Sequence, residues 1–269
     1  YGCGDCWANT NAVNYMCKKL GIQAYTRYAA NDGGAGGGHR NSVVIIDGER
    51  YLVDCGFVGN APRAYDFEKM DYDYSYKTLR DGTLRLYQYE GLDTQITVPD
   101  TINGKKVTVL GNSTFQNCIV AKNIKSVVLP DTLTTIEKNA FYNCEALNSV
   151  TIPKNVSSIG LAAFVPDNSK SELNELKVSP DNPYFSEKDG AVFDKSGTTL
   201  KIFPSGRSGD YQIPEGTKSI DDYAFYYCVN LNSVTIPGSV EKLGLGAFGD
   251  CANLQNITLK EGIKEIGDY

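Results

Sequence analysis

Residues 149–164 read Ser-Val-Thr-Ile-Pro-Lys-Asn-Val-Ser-Ser-Ile-Gly-Leu-Ala-Ala-Phe, and residues 233–248 read Ser-Val-Thr-Ile-Pro-Gly-Ser-Val-Glu-Lys-Leu-Gly-Leu-Gly-Ala-Phe. Both run through one order: an apolar residue and Pro, two apolar positions three apart, then Ala-Phe. The apolar-Pro pair returns as Val98-Pro99, Leu129-Pro130 and Ile213-Pro214. The paired apolar positions are Val107/Leu110, Leu133/Ile136, Val156/Ile159, Thr217/Ile220, Val240/Leu243 and Ile263/Ile266. The Phe column is Phe115, Phe141, Phe164, Phe225 and Phe248. Three residues after Phe come Cys118, Cys144, Cys228 and Cys251, with Asp167 breaking the column once, and three further on stand Ala121, Leu147, Leu231 and Leu254.

The Phe spacing of 26, 23, 61 and 23 residues describes a 23-residue unit with an insertion. So short a unit cannot bury its apolar side alone, so copies must stack and each column must run along a shared core. The period predicts a solenoid. Ser-Val-Thr-Ile-Pro reads as one short strand per coil, ended by Pro because Pro cannot donate to a ladder. The long gap at 173–211 holds Ala191-Val192-Phe193 and Leu200-Lys201-Ile202-Phe203 around Asp194-Lys195-Ser196-Gly197, which predicts a hairpin inserted as an irregular coil. The repeat cysteines read as small buried hydrophobes, not as disulfides or metal ligands. The last copy stops at Tyr269 before its Phe, so a truncated repeat in a piece of a longer protein is expected.

At 269 residues the chain is long enough for about two domains. Its net charge is −6, the acidic excess lies behind residue 85, and no Lys/Arg cluster occurs. The electrostatic footprint of a nucleic-acid or anionic-membrane partner is therefore missing. The longest purely apolar run, Val43-Val44-Ile45-Ile46, is far below the roughly 20 residues of a spanning helix, and no signal peptide is recognisable.

The repeat columns resemble the BspA-like class of leucine-rich repeats over residues 71–269. That resemblance implies a solenoid used for display and adhesion, often on a secreted or wall-attached bacterial protein; it implies no catalysis and names no ligand, and the partner expected is a protein or peptide, such as one of a host or cell wall.

Residues 1–70 have no period, so any chemistry is expected here. Asp5 reads as the N-cap of a helix over Trp7–Leu20, with Val13, Met16, Cys17 and Leu20 as its apolar stripe, Lys18 and Lys19 in the last turn and Gly21 as its stop. Cys6 then takes the first helical position, where the helix dipole favours thiolate. The Gly-rich 31–38 stretch lacks the strand and Gly-Lys-Ser/Thr of a phosphate loop and reads as a mobile loop. Ser42–Ile46 and Arg50–Asp54 read as a hairpin about Asp47-Gly48. His39, the only histidine, precedes the first strand and Asp54 ends the second, so the two can meet. A helix-start Cys, an imidazole and a carboxylate are the parts of thiol nucleophilic catalysis.

Gly4-Asp5-Cys6, Leu20-Gly21-Ile22, His39 and Tyr51 to Val53-Asp54 resemble the transglutaminase-like superfamily. That resemblance implies a papain-related α+β domain, truncated here, with Cys6 as nucleophile, His39 as general base and acid and Asp54 as its orienter. It would act on peptide bonds or Gln side chains as a cysteine peptidase or acyltransferase, with no cofactor and no metal. The aromatic often found two residues after the His is Asn41 here. Cys17 reads as core, while Cys3 and Cys55 could pair with each other or with Cys6. The competing expectation is a non-catalytic adhesion module whose front domain caps the first coil, with Tyr65, Tyr72, Tyr74, Tyr76, Tyr87 and Tyr89 forming a junction or a contact surface.

Overall fold

The computed structural model describes residues 4–29, 39–54, 57–58, 61–62, 66–69, 73–116, 118–165 and 170–268. They fall into two compact units, 1–75 and 76–269.

In the first unit one helix, α1 (Gly4–Lys19), precedes an antiparallel sheet of β1 (Gln23–Ala29), β2 (His39–Ile46), β3 (Glu49–Asp54) and the strand Asp66–Lys69, in that order. The Asp47-Gly48 turn joins β2 to β3 with both residues at positive φ, 53° and 81°, which gives the twist a two-residue hairpin needs. The helix stops as its sequence predicts. Gly21 takes φ 71°, and the Ile22 and Gly21 N–H groups donate to the Cys17 and Lys18 carbonyls at 2.9 and 3.3 Å, a Schellman cap.

Two details of the helix differ from expectation. It begins at Gly4, so Asp5 lies inside it and Cys6 is the third helical residue. The buried stripe is Thr10, Val13 and Cys17, while Met16 and Leu20 are 55% and 74% exposed. At 100° per residue Met16 stands roughly 60° off the line through Val13, and Leu20 follows the last helical turn. Outside α1 and one 3-10 turn the described regular structure is β, so what is described of the α+β domain expected of residues 1–70 is one helix, one four-stranded antiparallel sheet and the short antiparallel pair Phe57–Val58 with Ala61–Pro62, and no transglutaminase-like domain is shown.

The second unit is the solenoid that the period predicts, with one revision: most coils carry two strands, not one. The longer strands form parallel ladders, among them Ser149–Ile152 beside Glu175–Val178, and Gly209–Gln212, Leu231–Ile236 and Asn256–Leu259 in sequence. The second strand of each coil covers the paired apolar column and is often only two residues long. Lys105–Leu110, Thr135–Ile136 and Ser158–Ile159 pair in parallel, as do Thr199–Ile202, Ser219–Ile220, Lys242–Leu243 and Glu265–Ile266. Two residues are too few to show the alternation by which a strand is read from sequence.

The columns form the core. Phe115 and Phe141 stack at 5.2 Å, Phe141 and Phe164 at 5.0 Å, and Phe225 and Phe248 at 4.7 Å. Each ring is fixed by its backbone: the N–H groups of Phe115, Phe141 and Phe225 donate to the carbonyls of Ala140, Ala163 and Ala247 one coil on, at 2.8–3.1 Å. The Ala of each Ala-Phe pair is thus where one coil bonds the next. Coils approach closely at Gly160 and Gly244, where a Cβ would stand 2.3 and 2.4 Å from backbone nitrogens of the preceding coil.

The irregular coil is a three-stranded meander. Phe185–Lys188, Ala191–Asp194 and Thr199–Ile202 pair antiparallel, and the last rejoins the parallel ladder through Ser219–Ile220. Asn182, fully buried, ties it in: its Nδ2 donates to the Pro153 and Val156 carbonyls, and its Oδ1 accepts from the Tyr184 and Phe185 N–H groups, all at 2.7–2.9 Å. Phe203 stacks on Phe225 at 4.7 Å and so belongs to the Phe column. Tyr89 meets Phe115 at 5.8 Å. Of the other tyrosines singled out above, Tyr74 is buried, Tyr76 and Tyr87 are half-buried, and Tyr65 and Tyr72 lie outside the described residues.

Candidate functional site

For Cys6, His39 and Asp54 the described part is the backbone. Cys6 lies in the first turn of α1, His39 opens β2 and Asp54 closes β3. The ladder pairs Ser42 with Val53, and continuing it sets Asp54 level with residue 41, two positions from His39 and of the same parity. α1 packs on β1 and β2. The Ser42 hydroxyl donates to the Thr10 carbonyl at 3.3 Å, and Val13, Val44 and Val53 form one cluster with Cys17, Ile22 and Ala24 against it. Helix and strand therefore advance in the same sense, and Cys6, one turn before Thr10, falls toward the end of β2 that His39 begins. Ser42, Val44 and Val53, which meet α1, have the opposite parity to His39 and Asp54. Cys3, Cys55 and the Gly-rich 31–38 stretch lie outside the described residues.

The repeat cysteines are positioned by the Phe turn. Cys118, Cys144 and Cys228 are buried and Cys251 is half-buried, all four as free thiols. Burial pushes the Cys118 thiol up to about 12 and raises Cys144 and Cys228 well above the ordinary range. Such thiols are inert. Cys251 is lowered, first by a hydrogen bond with Cys228, and its Sγ also donates to the Phe225 carbonyl at 3.0 Å.

A cavity of about 290 Å³ opens where the irregular coil enters the stack. One side is residues 157–165. The other carries Phe185, Lys201, Phe203, Asp221, Asp222, Tyr223 and Tyr226. Lys201 Nζ pairs with Asp221 at 2.6 Å, and Asp222 Oδ1 accepts from the Leu245 N–H at 2.8 Å. Tyr223 and Tyr226 meet edge to face at 5.3 Å. None of these side chains stands out in the periodic pattern, because the repeat reading records what the coils share. The signal was the departure: residues 221–228 read Asp-Asp-Tyr-Ala-Phe-Tyr-Tyr-Cys where 137–144 read Glu-Lys-Asn-Ala-Phe-Tyr-Asn-Cys.

Comparison with known proteins follows the same division of the chain. The profile of the BspA type leucine rich repeat region matches six copies, over residues 89–196 and 200–269. No curated protein sequence matches the chain. Among solved structures, a leucine rich cell surface protein from Faecalibacterium prausnitzii is 21% identical, with 75% of this chain and 77% of that one covered and a TM-score of 0.41. A leucine rich repeat protein from T. pallidum is 20% identical, with 72% and 83% covered and a TM-score of 0.38. The pneumococcal vaccine antigen PcpA is 16% identical, with 84% and 77% covered and a TM-score of 0.33. With six matched copies spanning most of its length, the chain belongs to the BspA type leucine-rich-repeat family.

Proposed function

We propose that this chain is a non-catalytic protein-binding module of a bacterial surface-type protein, in which the solenoid presents a rigid recognition face. The observation that carries this reading is the ladder of longer strands. In-register parallel pairing sets Ser149 beside Glu175, Thr151 beside Lys177 and Thr235 beside Thr258, while the alternate residues Val150, Leu176 and Val234 are buried. Period-2 alternation thus gives one packed face and one flat polar face, held at the strand spacing of about 4.8 Å. Such a face meets another protein with little ordering of its own, which favours binding. The −6 net charge suits a partner with positive potential. The test is selection of a random displayed heptapeptide library on the full chain. Enriched sequences that bind the parent and lose binding to Thr151→Arg and Thr235→Arg support the reading. Enrichment in which no sequence loses affinity for either variant contradicts the strand face as a recognition surface.

A second reading keeps the front unit as a transglutaminase-like cysteine peptidase or acyltransferase, with Cys6 as nucleophile, His39 as base and Asp54 as orienter. What favours it is the backbone placement of Cys6 in the first helical turn and of His39 and Asp54 two positions apart on neighbouring strands.

A further inference from the structure

Each coil of the solenoid closes on the next by a repeated set of backbone bonds. The Glu137, Gly160, Asp221 and Gly244 N–H groups donate to the Leu110, Ile136, Leu200 and Ile220 carbonyls at 2.8–2.9 Å. At one place the series stops. Ser158–Ile159 ends its sheet, and the next sheet begins with the edge strand Phe185–Lys188. Among the described residues the Ile159 carbonyl receives no such donor, and the Phe164 N–H lacks the acceptor that its counterparts at Phe141 and Phe203 find. Phe164 stacks on Phe141 and Phe203 stacks on Phe225, and among the described residues no ring bridges Phe164 to Phe203. The 290 Å³ cavity occupies this break.

We propose that the break is a docking cleft for an extended peptide carrying a basic side chain. The peptide backbone would add to the open edge at Ser158–Ile159, and its cationic group would meet Asp222 and the rings of Tyr223 and Tyr226. This rests on the protein-binding reading and names the partner's chemistry. Unpaired backbone groups at a strand edge recognise another extended chain. The volume stands near the lower end of ligand pockets, roughly 300–1,000 Å³, which suits a short segment and one long side chain. The charge selects a cation: Lys201 is matched by Asp221, and Lys242, which also interacts with Asp222, pairs with Glu265 at 2.7 Å, so the group keeps an acidic excess at the Asp222 carboxylate, held in place by the Leu245 N–H beside two aromatic rings. Carboxylate and ring face together favour guanidinium or ammonium. Tyr223 also keeps φ at 56°, where other coils place Ser113, Asn139, Ala162 or Gly246, so a bulky ring is held at the rim against backbone preference. A sugar could use the rings, but it would leave the open edge and the carboxylate unmatched.

The test measures binding of a fluorescein-labelled heptapeptide, Thr-Val-Thr-Arg-Val-Thr-Val, to the full chain by anisotropy. Its Arg-to-Gln counterpart, a version N-methylated at alternate residues and a neutral N-acetylglucosamine hexamer serve as comparisons. The Arg peptide is expected to bind at least about tenfold more tightly than the Gln or N-methylated peptides. Asp222→Asn, which keeps an oxygen for the Leu245 N–H, should reduce the Arg preference to within about twofold. Leu161→Lys, at an exposed rim position, should weaken the Arg peptide by electrostatic repulsion while leaving thermal unfolding unchanged. Equal binding of Arg and Gln peptides, indifference to N-methylation, no binding, or displacement by the sugar alone would overturn the proposal. Peptides sensitive to Thr235→Arg but not to Asp222→Asn would preserve the protein-binding reading while refuting this cleft.

Discussion

Phe225→Ala tests the stacked column where it is most complete. Phe225 is fully buried between Phe203 and Phe248, each 4.7 Å away, with Tyr211 at 6.1 Å. Removing a buried Phe ring costs about 3–5 kcal/mol in transfer and cavity terms. Each lost ring pair is worth about 0.5–1.5 kcal/mol beyond area burial, which places Phe225→Ala near the top of that range, at about 5 kcal/mol. Phe248 is half-buried and, among the described residues, has one ring partner, so its truncation should cost about half as much. The double variant should show a coupling of about 1 kcal/mol, as expected of residues in contact. Urea unfolding followed by far-UV circular dichroism measures all three, and Phe225→Leu supplies a milder member of the series if the Ala variant does not fold. A Phe225→Ala cost equal to that of Phe248→Ala, or additivity of the pair, would refute the idea that the rings form one continuous stack.

Other consequences are equally direct. Asn182→Ala removes four hydrogen bonds from a buried site and should destabilise the chain by about 3 kcal/mol, since unsatisfied buried groups cost about 1–3 kcal/mol each. Urea midpoints measure it, and a change below about 1 kcal/mol would contradict the anchoring role. Gly160→Ala puts a methyl 2.3 Å from the Lys138 nitrogen and should cost about 1–3 kcal/mol despite an ordinary φ; an unchanged melting temperature would show that the coils can separate. Burial raises Cys118 from 9.0 to about 12, so the folded chain keeps a proton that the unfolded chain releases. That contribution is intact below about pH 9 and is lost as pH rises toward 12, at about 1.4 kcal/mol per unit. Cys118→Ala should therefore make stability less steep between pH 9 and 11; an unchanged slope would mean the thiol is not buried in the fold.

The solenoid was legible because its signal is repeated: Phe141, Ala163 and Leu133 sit in columns whose agreement outweighs the ambiguity of any one coil. Phe203 was hidden for the opposite reason. It lacks the preceding Ala and the following Cys, so sequence assigned it to the inserted hairpin, whereas packing puts it on Phe225. The second strand that most coils carry is not readable in the sequence, because two residues carry no alternation. In the front unit the Asp47-Gly48 turn and the Gly21 cap were readable because positive φ selects those residues locally. Which face of α1 is buried was not, since Thr10 is polar and its place follows from contact with Ser42. The rim at Asp222, Tyr223 and Tyr226 was visible only as a departure from the period, which has meaning once the break in the ladder is known.

The measurement that tests the binding-module account most directly is iodoacetamide alkylation of Cys6 against pH, located by peptide mass mapping after reduction, in the full chain and in His39→Ala. The account predicts labelling whose dependence on pH is the same in both proteins. Rapid labelling well below pH 8.5 that disappears in His39→Ala would demonstrate a thiolate–imidazolium pair, and would make the front unit an enzyme.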